Sequence, residues 1–301
     1  MPALAIVLVL AGACTHAIWN LAAKGGAHGG PVFVWLTAVV SVLALTPFAV
    51  VLLARDPVSP AVFVLAGVVS GLCHATYFTV LQAGYRAGDV SIVYPLARGS
   101  GPLLTVVVAV VGLGERPGWL GLVGAAVLIG GVLVISLAGS RGASVSPAAV
   151  GFGLGTGVAI AAYTLWDSHA VAPTRAVGSG AVGGLGLDPV VQMWGSCLAL
   201  TLVLTPFALR QARRSSADRV PAIWTTHRRA VLLVGVGSPL AYVLILYATR
   251  LAPVALVAPG REVSVVLVAL AGWLWLREPN PRPRLVGAAV VLVGIVLLAL
   301  A

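Results

Sequence analysis

Two arginines stand in apolar surroundings, each shortly after a proline. Arg98 lies in "YPLARGSGP" and Arg261 in "APGREV", preceded by Pro95 and Pro259. A charge at the bilayer centre costs about 2.5–3.5 kcal/mol on insertion scales, so such residues usually face the protein interior or a wet cavity. Guanidinium groups hold carboxylates and phosphonates through paired hydrogen bonds. The two arginines therefore predict a site for an anionic group; the alternatives are snorkelling to the interface and a structural ion pair.

Hydroxyl groups share a helix face with Arg98. At spacings of three, four and seven residues, this face carries Ser91, Tyr94 and Thr105. A proline inside a helix also frees the carbonyl four residues before it. We therefore expect both arginine helices to be interrupted, at Pro95 and Pro259.

Acidic residues are scarce in the apolar segments, which makes Glu262 and Asp167 candidates for function. Successive helix residues point about 100° apart, so Glu262 is not expected to pair with Arg261 beside it. Glu262 is predicted to neutralise Arg98 across the molecule, as a structural pair or as a carrier of a coupling proton. Asp167 is predicted either to carry that proton, since burial favours the neutral form of a carboxyl group, or to cap a helix end.

Aromatic and polar residues recur at matching helical spacing. The sets are His16, Trp19 and Asn20, then Tyr163, Trp166 and Asp167, and a further stripe with His74 and Tyr77. Their recurrence at equivalent places of the two halves leaves two interpretations open, the lining of a cavity and ordinary packing. His16 and His74 are further candidates for proton coupling, because histidine titrates near neutral pH; the alternative is a hydrogen-bonded core histidine.

The elements that position these residues are long apolar segments. The 301 residues are 60% hydrophobic and 9% charged, against about 25% charged in soluble domains. Runs of about 20 apolar residues are long enough to cross a bilayer as helices, and these are too long and too uniform for barrel strands. We predict an all-α integral membrane protein with ten transmembrane helices, at 3–23, 31–53, 60–84, 90–112, 118–138, 147–169, 188–210, 229–250, 254–276 and 282–301.

The chain contains an internal repeat. The segment "LGERPGWLGLVGAAVLIGGVLVI" matches "LREPNPRPRLVGAAVVLVGIVLL", which places Glu115 on Glu278, 163 residues later. "LTPFAV" matches "LTPFAL" at an offset of 159, which places Trp35 on Trp194. "HAIWN" matches "YTLWD" at an offset of 147. Two five-helix repeats are predicted, at 1–139 and 147–301.

An odd number of helices in each repeat has a topological consequence. The second repeat then enters the membrane from the opposite side, so the two repeats are inverted. Many secondary transporters have this architecture, with the substrate site between the repeats near the midplane.

These motifs resemble the EamA-like family of the drug/metabolite transporter superfamily. The resemblance rests on the "GER…LGLVGAAVLIGGV" and "REP…LVGAAVVLVGIV" segments and on "WN" and "WD" in the first helix of each half, and it covers nearly the whole chain. It implies a small-molecule carrier that works without ATP hydrolysis, often an exporter of amino acids or other metabolites. "HAIWN", "YPLARGSGPLL" and "YTLWD" are also similar to a branch associated with phosphonate-utilisation gene neighbourhoods.

We therefore predict a secondary transporter, not an enzyme, that exports a small polar metabolite bearing a carboxylate or phosphonate by alternating access. The alternatives are a broad-specificity drug exporter and a membrane enzyme acting on lipid. No cofactor or metal is expected, and the partners are the small-molecule substrate and the lipid bilayer, with the protein a monomer or homodimer. The net charge of +10 does not indicate nucleic-acid binding, because most basic residues lie singly in loops.

The membrane orientation receives conflicting signals. One set of loops holds 12 of the 18 basic residues, the opposite set holds 4, and Arg98 and Arg261 account for the remainder. The positive-inside rule places the first set in the cytoplasm and both termini outside. The family resemblance implies a multi-pass protein of the cell membrane with both termini in the cytoplasm, and that is the orientation predicted.

Overall fold

The computed structural model describes residues 1–23, 30–137, 146–174, 183–214, 219–274 and 281–301. The regular structure of these ranges is entirely helical. The helices are α1 Ala3–Ala23, α2 Gly30–Arg55, α3 Pro60–Ala87, α4 Val90–Val107, α5 Gly118–Leu137, α6 Pro147–Val171, α7 Pro189–Ala212, α8 Val220–Thr249, α9 Val254–Gly260, α10 Val263–Leu274 and α11 Pro281–Leu300. A π-helical turn, Val108–Gly112, continues α4.

Eight of the described helices, α1 to α8, are long and apolar enough to cross a membrane. Helix α11 carries a shorter apolar stretch, Leu285–Leu300. Large apolar side chains on the outer surface, such as Val111 and Leu202, are mostly exposed, as expected where lipid replaces water. The all-helical, multi-pass membrane fold is confirmed, and the number of ten crossings stays a prediction.

The predicted interruptions of the two arginine helices have different outcomes. Helix α4 runs without a break through Pro95, so the prediction of an interruption there is wrong. Pro95 is only the sixth residue of α4, and the carbonyl that it frees belongs to the first turn. The missing hydrogen bond therefore lies at the end of the helix, where its loss does not break the helix. The interruption expected at Pro259 is present, because within the segment predicted over 254–276 one helix ends at Gly260 and the next begins at Val263.

The break between α9 and α10 falls at Arg261 and Glu262. The Glu262 amide donates to the Pro259 carbonyl at 2.9 Å, and the Val265 amide donates to the Glu262 carbonyl at 2.9 Å. These three-residue turns replace the regular helical bonds. Both charged residues therefore sit at a bend of the chain and not on a helix face.

The two repeats meet through reciprocal contacts. Trp35 Nε1 of α2 donates to Thr205 Oγ1 of α7 at 3.0 Å, and Trp194 Nε1 of α7 donates to Thr46 Oγ1 of α2 at 3.0 Å. The tryptophans are repeat equivalents, and so are the threonines. The exchange of partners requires α2 and α7 to run antiparallel.

Helices α5 and α11, which are also equivalent in the two repeats, make reciprocal contacts through glycines. A Cβ atom on Gly131 would lie 2.9 Å from the Gly287 carbonyl oxygen, and one on Gly287 would lie 2.9 Å from the Gly131 carbonyl oxygen. Small residues allow such close backbone approach between membrane helices. Equivalent helices of the two repeats are thus antiparallel, as an inverted repeat requires.

The first helix of each repeat packs into the other repeat. Helix α1 lies against α8, α9 and α10, and α6 lies against α3 and α4. The residues that face these contacts are brought together at the centre of the bundle.

Candidate substrate site at the centre of the bundle

An ion pair joins the two repeats. Arg98 Nη1 of α4 lies 3.4 Å from Oε2 and 3.5 Å from Oε1 of Glu262, at the break after α9. The Glu262 side chain is 1% exposed and that of Arg98 is 12% exposed. The pair is therefore almost entirely withdrawn from solvent, where a charge interaction is little screened.

Arg261 contributes a second guanidinium to the same carboxylate. Its Nε lies 3.6 Å from Glu262 Oε1 and has no hydrogen-bond partner, although it is buried. The expectation that these neighbours cannot pair is wrong, because the chain leaves the helix where they stand. One carboxylate thus faces two guanidinium groups, which leaves one positive charge in excess at this point.

His16 and Tyr94 complete the surroundings of Arg98. Arg98 Nη2 donates to His16 Nε2 at 3.2 Å, and because a guanidinium group only donates, His16 accepts through an unprotonated Nε2. The guanidinium carbon lies 5.4 Å from the centre of the Tyr94 ring, within cation–π range. His16 also contacts Trp19 edge-to-face, at 4.7 Å between ring centres.

A second polar cluster surrounds Asp167. Gln192 Nε2 donates to Oδ1 at 2.8 Å, and the Tyr242 hydroxyl donates to Oδ2 at 2.9 Å. His74 lies beside this cluster, with Nδ1 2.9 Å from the Ser70 carbonyl oxygen. The Asp167 cluster is formed by α3, α6, α7 and α8, whereas the arginines belong to α4 and the break after α9.

Tyr163 lies between the two clusters. Its ring stacks on that of His74 at 4.3 Å and lies 5.9 Å from the Arg261 guanidinium carbon. The Tyr77 ring contacts it edge-to-face at 5.9 Å. A single aromatic side chain therefore touches both the cationic and the acidic half of the centre.

The remaining predicted residues have varied positions. Trp166 Nε1 donates to the Ala66 carbonyl at 3.0 Å, so this indole joins α6 to α3. The buried Thr105 hydroxyl donates to the Gly101 carbonyl of its own helix at 2.9 Å. Asn20 is half-buried on α1. The side chain of Ser91 lies outside the described residues.

Three polar residues of the centre were missed by sequence reasoning: Gln192, Ser70 and Ser196. Ser70 donates to Ser196 Oγ at 2.8 Å beside the Asp167 cluster. All three are buried. In the sequence, Gln192 is a single uncharged amide within an apolar helix. Its importance becomes evident only when the structure shows Asp167 as its partner.

The glutamate of the repeated motif holds the arginine-bearing segment. Glu115 Oε1 accepts from the Val254 amide and Oε2 from the Ala255 amide, both at 2.9 Å. These are free amides at the start of α9, which such an acceptor satisfies. Its repeat equivalent, Glu278, lies outside the described residues.

Most of the centre is buried. Arg261, Glu262, Asp167 and Tyr163 are all buried. A cavity of about 500 Å³ lies elsewhere, between α2, α7 and α8, and is lined by Phe48, Arg55 and Tyr247 among others. Across the described ranges, no group of three His, Cys, Asp or Glu side chains is placed to hold a metal ion.

An all-helical membrane bundle made of two inverted repeats, with a charged site between them, defines the architectural class of many secondary transporters. The chain belongs to the EamA-like transporter family, whose model matches residues 3–137 and 148–300, one match for each repeat. This is a family of drug and metabolite transporters.

Comparison with solved structures supports the same fold. A crystal structure with 18% sequence identity superposes with a TM-score of 0.74 and covers 98% of this chain and 96% of its own. A comparison with curated proteins gives no match.

Proposed function

We propose that the protein is a secondary transporter for a small polar metabolite bearing a carboxylate or phosphonate group. The observation that carries this proposal is the sharing of Glu262 by Arg98 and Arg261. Around Glu262 itself, two guanidinium groups face one carboxylate, so one positive charge lacks compensation within this cluster. An anionic substrate group supplies that compensation, whereas a cationic drug would be repelled.

The geometry supports exchange of Glu262 for a substrate anion. The distances of 3.4 Å and 3.6 Å from the two guanidinium groups to Glu262 exceed the roughly 2.7–2.9 Å of strong charge-assisted hydrogen bonds. Arg261 Nε is left without any hydrogen bond. An incoming carboxylate would give these donors shorter bonds than they have now.

Transport follows by alternating access. In the proposed cycle, the buried centre opens to one side of the membrane and then to the other as the inverted repeats exchange conformations. We propose export across the cell membrane, with both termini in the cytoplasm. The phosphonate-associated branch gives one substrate class to be screened first.

The proposal is tested with purified protein and with proteoliposomes. A thermal-shift screen over amino acids, phosphonates and sugar phosphates should identify a stabilising anion, whose flux is then measured. Arg98→Gln and Arg261→Gln should each weaken binding by about tenfold to a hundredfold, since a hydrogen bond to a charged group contributes roughly 1.5–3 kcal/mol.

The matched control is Arg55→Gln, which removes an exposed arginine at the end of α2 and should leave binding unchanged. If both central variants transport and bind like the unmodified protein, the arginine pair is not the substrate site.

A further inference from the structure

The two buried carboxylates of the centre have chemically different surroundings. Asp167 is 1% exposed, and it accepts hydrogen bonds from the uncharged groups of Gln192 and Tyr242, with the uncharged Ser70 hydroxyl also beside it. Within the described ranges, no arginine or lysine lies within ion-pair distance of Asp167. Glu262 instead lies between two guanidinium groups.

The partners of Asp167 suit either protonation state of its carboxyl group. A side-chain amide donates through nitrogen and accepts through oxygen, and a tyrosine hydroxyl does both. Gln192 now donates through Nε2, and its buried Oε1 has no hydrogen-bond partner. Rotation of the amide would present that oxygen to a protonated Asp167. Guanidinium groups only donate, so the site of Glu262 favours the ionised form alone.

Other titratable groups surround Asp167 on several helices. Those near it are Cys73 and His74 on α3, Cys197 on α7 and Tyr242 on α8. Arg98 on α4 and Arg261 after α9 contact Glu262 instead, and Tyr163 of α6 lies between Arg261 and His74.

The charges of the centre link proton binding to anion binding. Arg98 and Arg261 contribute two positive charges, and Glu262 and ionised Asp167 contribute two negative charges, so the sum is zero. Protonation of Asp167 leaves one positive charge, and a bound monovalent anion returns the sum to zero. A net charge buried in the membrane is costly, so each of the two ligands should favour the other.

We propose that Asp167 is the proton-binding site of the protein and that its protonation promotes binding of a monovalent anion at Arg98 and Arg261. A proton taken from water on one side forms an O–H bond at the carboxylate, and it returns to water on the other side when the anion leaves. One proton then crosses with each anionic group. Export by this route runs down the outward gradient of the substrate, and an inward proton gradient opposes it.

The proton site is tested without transport or a known substrate. Full-length protein in lipid nanodiscs is titrated with acid while the infrared carbonyl band of protonated carboxyl groups is recorded. We expect one buried carboxyl band that is lost in Asp167→Asn and retained in Asp188→Asn, a control at the start of α7. A titrating band that survives in Asp167→Asn, or one that is lost in Glu262→Gln but not in Asp167→Asn, would overturn the assignment.

The coupling is tested with methanesulfonate, a probe that remains a monovalent anion throughout the titration. Because an anion that prefers the protonated protein stabilises that form, methanesulfonate should move the midpoint of the Asp167 band to higher pH. The shift should disappear in Arg98→Gln. A midpoint that methanesulfonate leaves unchanged would overturn the coupling while leaving the proton site in place. The coupling of proton binding to anion binding rests on the proposed function, whereas the proton site at Asp167 does not. Failure of the coupling can therefore be distinguished from failure of the proton site.

Discussion

At the scale of single residues, Glu115 has a role that its position alone does not reveal. It lies between α4 and α5, yet its carboxylate binds the first two amides of α9. Helix α9 has only seven residues, too few to be stable alone. The position of Arg261 and Glu262 at its far end therefore depends on how firmly its start is held.

Replacement of Glu115 by glutamine should destabilise this connection. Glutamine places an NH2 group where one of the two carboxylate oxygens stood, so the backbone amide that faces this NH2 loses its acceptor, at a cost of about 1–3 kcal/mol. Thermal unfolding of the purified protein should show a lower midpoint for Glu115→Gln. The neighbouring Arg116→Gln removes an exposed charge and should leave the midpoint unchanged; equal midpoints for both variants would contradict the role given to Glu115.

A charged residue close to proline and glycine within an apolar segment was sufficient to identify Arg98 and Arg261 as candidates. The pairing of Glu262 with Arg98 was predicted, but the approach of Arg261 to the same carboxylate was not, because it depends on where helix α9 ends. Gln192 and Ser196 escaped notice because a single polar residue in a long apolar helix satisfies itself locally more often than it meets a buried partner.

At the scale of elements, the contact between α5 and α11 depends on glycines that face the partner backbone. Gly131 lies against Val291 and Gly287, whereas its neighbour Gly130 has open space around it. The two residues have the same helical backbone and differ only in the direction they face. This difference makes them a matched pair for mutagenesis.

Gly131→Leu should separate α5 from α11 and destabilise the fold, since overpacking a tight contact typically costs about 1–3 kcal/mol. Gly130→Leu should have little effect, because its side chain would point into open space. Unfolding midpoints of the two variants in the same detergent measure the difference. If Gly130→Leu is the more damaging variant, the interface has been assigned to the wrong face.

Hydropathy predicted where helices exist better than where they begin. Helix α8 was expected from residue 229 and begins at Val220, because its first turns are polar and extend beyond the apolar run. Pro221 in its first turn is a helix-start signal that an apolar window does not register. The break at Arg261 was equally invisible to hydropathy, because both sides of it are apolar.

At the scale of the whole molecule, the sequence repeat predicted the architecture most reliably. Matches at different offsets indicated that the same five-helix unit occurs twice. The reciprocal bonds between Trp35 and Thr205 and between Trp194 and Thr46 are the physical form of that duplication. Similar sequences predict similar helices in the two repeats. A place where equivalent helices differ therefore indicates a difference in the conformation of the repeats.

Helix α4 and the pair α9–α10 show such a deviation. The first passes straight through Pro95, whereas the second is broken after Pro259. If the repeats exchange conformations during transport, the opposite-facing state should have a break near Pro95 and a continuous helix through Pro259. Hydrogen–deuterium exchange in the presence of an anion that traps that state should become faster at residues 94–100 and slower at residues 259–265.

If the anion blocks transport but hydrogen–deuterium exchange stays unchanged at both segments, the break after Pro259 is a fixed part of the fold. The expected exchange of conformations between the repeats has a consequence for Arg98 and Arg261. Each arginine would spend part of the cycle on a rigid helix and part at a hinge, and the two would never be at a hinge together. The location of the hinge then serves as an indicator of the side of the membrane to which the carrier is open.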